Sequence, residues 1–525
     1  MPFAGPLRAR GQRNPQLFGV FEESLCFDCP VSRARRILAE RSALRSGALT
    51  GLGQVMLSLA AAGAGALLAH KFGRTAQTDG FLAAYAVYSL LVLAAQAFRM
   101  VVVPDLTRAA VEGRLGGESR AYGIAFLALA VPTSLLVAVF AGPLGELVTG
   151  NLPQSSANIA GRALEVLVPA AFVQLLAALA ASVLAALDSY GTAALGFGVS
   201  GLIGLGVFGA LASSVGIVAL AWALLVNAVI AVGVPVLGLL RLKALAGPSL
   251  DRLDVGRRLL NLLRGAAVPV ALQGCYLLAL RLAANLGVGS VTSFTYAYLA
   301  ASTLVGATGF ALGVISSAPL TRRGVDGETA GRHVVHASWV SLTFVGAAAG
   351  ICALVGGRIV HVVLGNHYGG RVGHDLGLLV VYLSPWMVAW VGFVVTYPLV
   401  FVAARQRYLV PVALAGFLSM IPLGLGLRAV WGLPGIAVAV GLATLVIACG
   451  LMAAVDRRTL TIAIFGVARL SLALGAASAL AFGALALVLS PVPAAVLGVI
   501  VYGLIVLSLR SLGLRDAWTY IRGLH

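Results

Sequence analysis

Charged side chains inside apolar stretches are the residues of this chain best placed to form a site. Arg281 lies deep within one such stretch, with Gln273 and Tyr276 on or near the same helical face, and Asp79 begins another. A charge at the centre of a bilayer costs roughly 3 kcal/mol unless it is paired or faces water, so each is a candidate site residue. The alternative for Arg281 is snorkelling to the outer surface. The alternative for Asp79 is a place near the N-terminus of its own helix, where Thr78 and the helix dipole favour an acid.

No set of residues in the sequence is typical of catalysis or metal binding. The 18 acids stand nearly all in loops or at the ends of apolar stretches, so paired carboxylates for acid–base chemistry are missing. Cys26 and Cys29 form a single CxxC pair, whereas a structural zinc site needs four ligands. His361, His367 and His374 share one loop, a spacing typical of solvated side chains. We therefore predict no enzyme, no metal site and no cofactor.

Tyrosines on two apolar stretches are further candidates for the lining of a cavity. Tyr85 and Tyr88 follow Asp79, and Tyr296 and Tyr298 stand on a later stretch. Packing between helices and placement in the interfacial aromatic belt are the alternatives for each of them.

The composition predicts a protein that lies almost entirely in a membrane. Hydrophobic residues make up 60% of the chain and charged residues 10%, with a mean hydropathy of +1.00. A soluble domain of 525 residues needs far more polar surface than this. Fourteen apolar segments are each long enough to cross about 30 Å of hydrocarbon. The fold class is therefore an all-α polytopic membrane protein with about 14 transmembrane helices.

The net charge of +18 is distributed as an orientation signal. With a cytoplasmic N-terminus, 27 of the 36 lysine and arginine residues fall in the tail, the cytoplasmic loops and the C-terminus. This asymmetry follows the positive-inside rule and predicts that both termini are cytoplasmic. Motifs for nucleic-acid binding are missing, so the predicted partners are membrane lipids and not nucleic acid.

An internal repeat divides the spans into two lobes. The sequence Pro-x-Leu-Thr-Arg at Pro104 returns as Pro-Leu-Thr-Arg at Pro319, 215 residues later, and Pro169 and Pro385 are 216 apart. An even number of spans separates the copies, so the repeats are parallel and related by an axis along the membrane normal. We predict two six-helix lobes followed by two C-terminal helices.

The predicted domains follow from this repeat and from the charged loops. They are a cytoplasmic basic tail (1–46), an N-terminal lobe with spans 1–6 (47–242), a cytoplasmic linker (243–263), a C-terminal lobe with spans 7–12 (264–455), and spans 13 and 14 with a cytoplasmic C-terminus (456–525).

Three stretches carry a resemblance to a known family. Phe72-Gly73, Thr78-Asp79-Gly80-Phe81 and Val103-Pro104 resemble the FG…TDAF…VP signature of the MurJ/MviN lipid II flippases. The stretch 289–297, with Ala311-Leu312-Gly313, resembles the span 8 region of that family, and 432–437 resembles its turn into span 12. The family belongs to the MOP superfamily together with the MATE exporters. The resemblance covers spans 1–12.

The chain departs from the family at its cavity arginines. By alignment from Phe72-Gly73 these arginines fall on Ser58, Ala64 and Val92, and the Asp-Arg pair of span 8 falls on Tyr298 and Leu299. This chain thus resembles a divergent member that lacks the usual cavity arginines.

The resemblance implies a flippase that moves a polyprenyl-diphosphate-linked cell-wall or oligosaccharide precursor across the bacterial plasma membrane by alternating access. Lipid II or another lipid-linked oligosaccharide would be the substrate, and cell-wall synthesis proteins would be partners. In this interpretation Arg281 binds the diphosphate and Asp79 acts at the outer gate. The substrate-binding set comprises Arg281, Asp79, Tyr85, Tyr88, Gln273, Tyr296 and Tyr298. The alternatives are a MATE-like antiporter of small molecules and a membrane scaffold in cell-wall assembly that transports nothing.

Overall fold

The computed structural model describes residues 52–53, 56–57, 59–187, 190–242, 255–305, 326–403 and 405–508. The basic tail with Cys26 and Cys29, the predicted C-terminal tail beyond residue 508 and the repeat mark at Pro319 lie outside these ranges. The predicted linker is described only from residue 255 onward.

Helices account for nearly all of the described chain, and no strand occurs within those ranges. In chain order they are α1 (Leu59–Phe72), α2 (Ala76–Val111), α3 (Leu115–Val139), α4 (Ala141–Thr149), α5 (Gln154–Ala186), α6 (Tyr190–Leu211), α7 (Ala219–Arg241), α8 (Val255–Ala284), α9 (290–305), α10 (Gly327–Leu364), α11 (Gly370–Tyr382), α12 (Ser384–Val402), α13 (Leu409–Trp431), α14 (Leu433–Val455), α15 (Arg457–Ala486) and α16 (Pro491–Ser508).

Twelve of the described helices are long and apolar enough to cross a membrane, and they coincide with predicted spans 2–7 and 9–14. Helices α1 and α9 lie at predicted spans 1 and 8, and each adjoins residues outside the described ranges. The prediction of an all-α polytopic fold is therefore confirmed. One boundary differs: α8 begins at Val255, within the range predicted for the linker, because its first turns carry arginines that a search for apolar segments leaves out.

The repeat is visible in the helices as well as in the sequence. In the first half α3 and α4 are separated at Phe140, whereas α10 runs unbroken through the matching stretch. Conversely, α5 is continuous where the second half breaks at Leu383 into α11 and α12. The chain thus follows the same path in both lobes, but the break between helices lies in a different place in each lobe.

Glycines with positive φ mark the same turns in both lobes. Gly73 and Gly289, which are 216 residues apart, precede α2 and α9, and Gly150 and Gly365, which are 215 apart, end α4 and α10. Positive φ is unfavourable for residues with a Cβ, so these turns require glycine. We call the end of the molecule that carries these four turns the outer end, following the predicted orientation.

Close helix contacts depend on small residues. At Gly80 in α2 an added Cβ would lie 2.3 Å from the backbone oxygen of Ser156 in α5, and the Ser156 hydroxyl donates to the Ala76 carbonyl at 2.6 Å. Helices in lipid associate through such packing and hydrogen bonds. The last two helices also bond to α10: the Ser478 hydroxyl of α15 donates to the Gly346 carbonyl at 2.7 Å, and the Tyr502 hydroxyl of α16 donates to the Thr343 carbonyl at 3.0 Å.

We expect Gly80→Ala to destabilise the protein, because the methyl group has no room between α2 and α5 and overpacking costs about 1–3 kcal/mol. Gly206→Ala is the matched control, since a Cβ at this helical glycine would meet nothing within 4 Å. Thermal unfolding of both variants in the same detergent measures the difference. A melting temperature for Gly80→Ala equal to that of the control would contradict the packing described here.

Candidate functional site

Asp79 is the centre of the contact between the two lobes at the outer end. Its side chain is fully buried, and its Oδ2 accepts a hydrogen bond from the Gly289 N–H at 2.5 Å. Its Oδ1 accepts from the Thr292 N–H at 2.8 Å and from the Thr292 hydroxyl. Gly289 and Thr292 are at the N-terminus of α9, where backbone N–H groups have no partner within the helix. A carboxylate of one lobe therefore caps a helix of the other.

Asp79 does not cap its own helix. The N-cap of α2 is Thr75, whose side chain accepts from the Thr78 N–H at 3.3 Å. Asp79 lies one turn further on, and its hydrogen bonds go to the opposite lobe. A negative charge beside the N-terminus of α9 also interacts favourably with the dipole of that helix.

Arg74 reinforces this contact from the turn before α2. Its Nε donates to the Gly289 carbonyl at 2.8 Å, and an added Cβ at Gly289 would lie 2.2 Å from that nitrogen. Gly289 thus donates its N–H to Asp79 and accepts from Arg74. We call Arg74, Asp79, Gly289 and Thr292 the outer clasp.

Two further contacts between the lobes flank the outer clasp, each made at a positive-φ glycine. His70 at the end of α1 lies against Gly365, where an added Cβ would be 2.4 Å from its Nδ1. Arg281 in the last turn of α8 lies against Gly150, where an added Cβ would be 1.4 Å from its Nη1. Since Gly150 and Gly365 are equivalent in the repeat, each lobe presents the same turn to the first helix of the other lobe.

Arg281 is a half-buried cation without a hydrogen-bond partner among the described residues. Its Nη1 is fully enclosed and makes no hydrogen bond within that part of the chain. The sequence placed Arg281 in the outer half of span 7, and the structure places it one turn from the outer end of α8. A guanidinium in this position has donors available for an anionic ligand.

The predicted tyrosines lie in one buried cluster that includes residues of both lobes. Tyr88, Tyr296 and Tyr298 are buried members, and Tyr85 packs against the cluster. Tyr85 and Tyr88 stack on each other with ring centroids 5.5 Å apart. Gln273 is also buried and lies one turn before Tyr276 on α8.

A chain of aromatic rings extends this cluster into the C-terminal lobe. Tyr276 stacks on Tyr298 at 4.2 Å between centroids, and Tyr298 contacts Trp386 at 4.6 Å. The hydroxyl groups of Tyr276 and Thr295 are hydrogen-bonded to each other at 3.2 Å. Trp386 and Tyr276 were not part of the predicted binding set, although both stand on predicted spans.

Tyr296 makes the contact between α9 and α1. Its hydroxyl donates to the Gly65 carbonyl at 3.4 Å, and its ring meets the edge of Tyr368 at 5.6 Å. Tyr368 lies in the outer turn between α10 and α11, where burial raises the pKa of its phenol and keeps it neutral. Of the seven predicted site residues, the structure thus places Asp79, Arg281 and Tyr296 directly at the junction of the lobes.

The sequence missed Arg74, Gly289 and Thr292 as members of the outer clasp. The signal for Gly289 was its place in the repeat, because it lies 216 residues after Gly73. Arg74 and Thr292 have no comparable signal, since a basic residue in an outer loop and a threonine in a span are both ordinary.

No family model matches the chain, and no curated protein matches it by sequence. Solved structures do match. The lipid II flippase MurJ in an inward closed conformation has a TM-score of 0.68 at 14% identity, covering 88% of this chain and 99% of the MurJ chain. The eukaryotic MATE transporter AtDTX14 has a TM-score of 0.60 at 16% identity, covering 82% of this chain and 98% of its own. An inward-facing multidrug resistance MATE transporter of the MOP superfamily has a TM-score of 0.58 at 14% identity, covering 79% of this chain and 95% of its own.

These similarities define the fold. The chain has the helical fold that is seen in the MurJ and MATE structures.

We expect Asp79→Asn to open the outer end, because the amide lacks the charge that binds Gly289, Thr292 and the α9 dipole. The loss of one charge-assisted contact should raise the ratio of open to closed molecules by about tenfold. Spin labels at Ser155→Cys and His374→Cys, two exposed outer positions in opposite lobes, report the separation by pulsed electron paramagnetic resonance. The five native cysteines are replaced beforehand.

The control for this measurement is Asp375→Asn, which removes an exposed acid from the same end of the protein. We expect the distance distribution of the control to match that of the parent. An unchanged distribution for Asp79→Asn would show that its hydrogen bonds do not hold the lobes together.

Proposed function

We propose that the chain is a flippase that moves a lipid-linked precursor, joined to its polyprenyl carrier by a diphosphate, across the plasma membrane. The observation that carries the proposal is the outer clasp in a two-lobed MOP fold. A buried carboxylate on the N-terminus of a helix in the other lobe is a contact that can be made and released as a unit. Alternating access requires such a contact, because the lobes must separate at one end while they meet at the other.

The anionic part of the substrate requires a cation, and Arg281 is the candidate. A diphosphate carries about two negative charges, and removing it from water without positive partners is costly. Arg281 is half-buried at the junction of the lobes, and its guanidinium has no hydrogen-bond partner within the described residues. In this proposal the diphosphate binds Arg281 when the outer end opens and Gly150 moves away.

The aromatic cluster would bind the uncharged parts of the substrate. Tyr85, Tyr88, Tyr296 and Tyr298 present flat apolar faces with polar hydroxyl ends, which suit both sugar rings and polyprenyl chains. Gln273 would add a hydrogen-bonding group from α8. All of them except Tyr85 are buried here, so they become available only when the lobes separate.

A MATE-like antiporter is the second candidate, because MATE structures also match the fold. Exchange of a cationic substrate for protons or sodium needs a carboxylate that is free to change partners. Within the described residues the fully buried acid is Asp79, and both of its oxygens already accept hydrogen bonds. Because these oxygens are already engaged, the arrangement does not favour Asp79 as the carboxylate of a cation exchanger. A scaffold in cell-wall assembly is the third candidate.

The proposed location is the bacterial plasma membrane, with both termini in the cytoplasm as the distribution of arginine and lysine predicts. The proposed partners are the lipid-linked precursor, membrane lipids and cell-wall synthesis proteins. In this orientation the outer clasp faces away from the cytoplasm, and the precursor enters from the opposite end.

We expect the wild-type chain to restore growth of a bacterium depleted of its lipid II flippase, and Arg281→Ala to fail, because the substrate diphosphate then lacks its cation. Arg371→Ala is the matched control, since this arginine is at the same end and its side chain is 95% exposed. Growth after depletion is the measurement, with each variant verified in the membrane.

Rescue by Arg281→Ala would contradict the role of Arg281. Failure of the wild type would contradict lipid II as the substrate and favour another polyprenyl-linked glycan or a scaffold. Resistance to cationic drugs conferred by the wild type would favour the MATE-like alternative.

A further inference from the structure

A second polar contact joins the lobes at the end opposite the outer clasp. Arg258 stands in the first turn of α8, and Glu118 stands in the first turn of α3. Arg258 Nε donates to Glu118 Oε1 at 3.0 Å, and its Nη2 donates to Oε1 at 2.9 Å and to Oε2 at 3.0 Å. This forked geometry is the strongest form of an arginine–carboxylate pair.

The surroundings hold this pair in place. Tyr122 lies one turn after Glu118, and the Arg258 guanidinium is 5.6 Å from the centre of its ring. The Tyr122 hydroxyl donates to Asp105 Oδ2 at 2.8 Å, which fixes the ring against the end of α2. Arg258 thus meets a carboxylate on one side and an aromatic face on the other, a site suited to a guanidinium.

Burial distinguishes this pair from ion pairs inside one helix. The side chains of Arg258 and Glu118 are each only 15% exposed. Arg332 and Glu328 in α10, by contrast, are 63% and 49% exposed and are four residues apart. Exposed pairs contribute little to stability, whereas breaking a buried pair is costly unless water reaches both charges.

Helix α8 is therefore attached to the N-terminal lobe at both ends. Arg258 and Arg281 are 23 residues apart, which corresponds to roughly 34 Å along a helix and about the thickness of the hydrocarbon layer. One arginine contacts Glu118 and the other contacts Gly150. Movement of α8 away from the N-terminal lobe must break one of these contacts first.

We infer that the Arg258–Glu118 pair, supported by Tyr122 and Asp105, is an inner lock that closes the cytoplasmic end and must break before that end opens. The inference rests on the proposed alternating-access function. The contact is releasable because water enters as the lobes separate and hydrates both charges.

The test measures the distance between the lobes at the inner end. Spin labels at Arg108→Cys in α2 and Gln406→Cys in the turn before α13 occupy exposed positions near that end, one in each lobe, in the background without native cysteines. We expect Glu118→Gln to raise the ratio of open to closed molecules by about tenfold, because the amide cannot hold the guanidinium by charge. Glu328→Gln is the matched control, and we expect it to leave the distribution unchanged.

Swapping the two charges of the pair distinguishes loss of the ion pair from a general effect on folding. Glu118→Arg alone should open the inner end, and Glu118→Arg combined with Arg258→Glu should restore the closed distribution. If Glu118→Gln does not reach the membrane, Tyr122→Phe takes its place. It keeps the ring and loses the bond to Asp105, and we expect a smaller opening.

The inference would be overturned if Glu118→Gln left the inner distance unchanged, or if Tyr122→Phe did so where it is used instead. It would also be overturned if the charge exchange failed to restore the closed distribution. The readout does not depend on a substrate. If Glu118→Gln opens the inner end but the wild type does not rescue growth, the inference of an inner lock therefore stands. Only the proposed function is then contradicted.

Discussion

The structure depends on one constraint: a buried carboxylate must have hydrogen-bond donors. Asp79 is fully buried, and its donors come from the N-terminus of α9 in the opposite lobe. The N–H groups of that terminus also lack partners of their own. Each group thus satisfies the other, and neither is satisfied when the lobes separate unless water or a ligand takes its place. The closed outer end is stable for this reason.

Arginines of α8 make two other contacts between the lobes. At the inner end Arg258 and Glu118 form a forked pair with little exposure, and at the outer end Arg281 is enclosed beside Gly150 without a hydrogen-bond partner in the described residues. The carboxylates of Asp79 and Glu118 accept hydrogen bonds on both oxygens, whereas Nη1 of Arg258 and Nη1 of Arg281 are buried without a hydrogen-bond partner in the described residues. In a flippase, the two carboxylate contacts would hold the closed state, and Arg281, which has no carboxylate partner in that part of the chain, would bind the anionic group of the substrate.

The fold was largely predictable, because bilayer thickness and the repeat of turn residues constrain a membrane protein strongly. The apolar segments located the spans, and Pro169 and Pro385 matched one helix in each lobe. The contacts within the site were less predictable. Asp79 was a candidate because it begins an apolar stretch, but its partners lie 210 and 213 residues away, and no local pattern connects them. Arg258 was counted as a charge of the cytoplasmic loop, because helix α8 begins earlier than its apolar part. Its pairing with Glu118 follows from how the lobes meet, which a single sequence does not encode locally.

The most direct test of the account is translocation in vesicles that contain only this protein. A fluorescent sugar attached through a diphosphate to a polyprenyl chain is placed in both leaflets, and a quencher that cannot cross the membrane is added outside. The account predicts that the pool of the inner leaflet loses fluorescence over time in vesicles with the wild-type protein and stays protected in vesicles without it. Protection of that pool in both kinds of vesicle, with the protein folded and correctly inserted, would contradict the account.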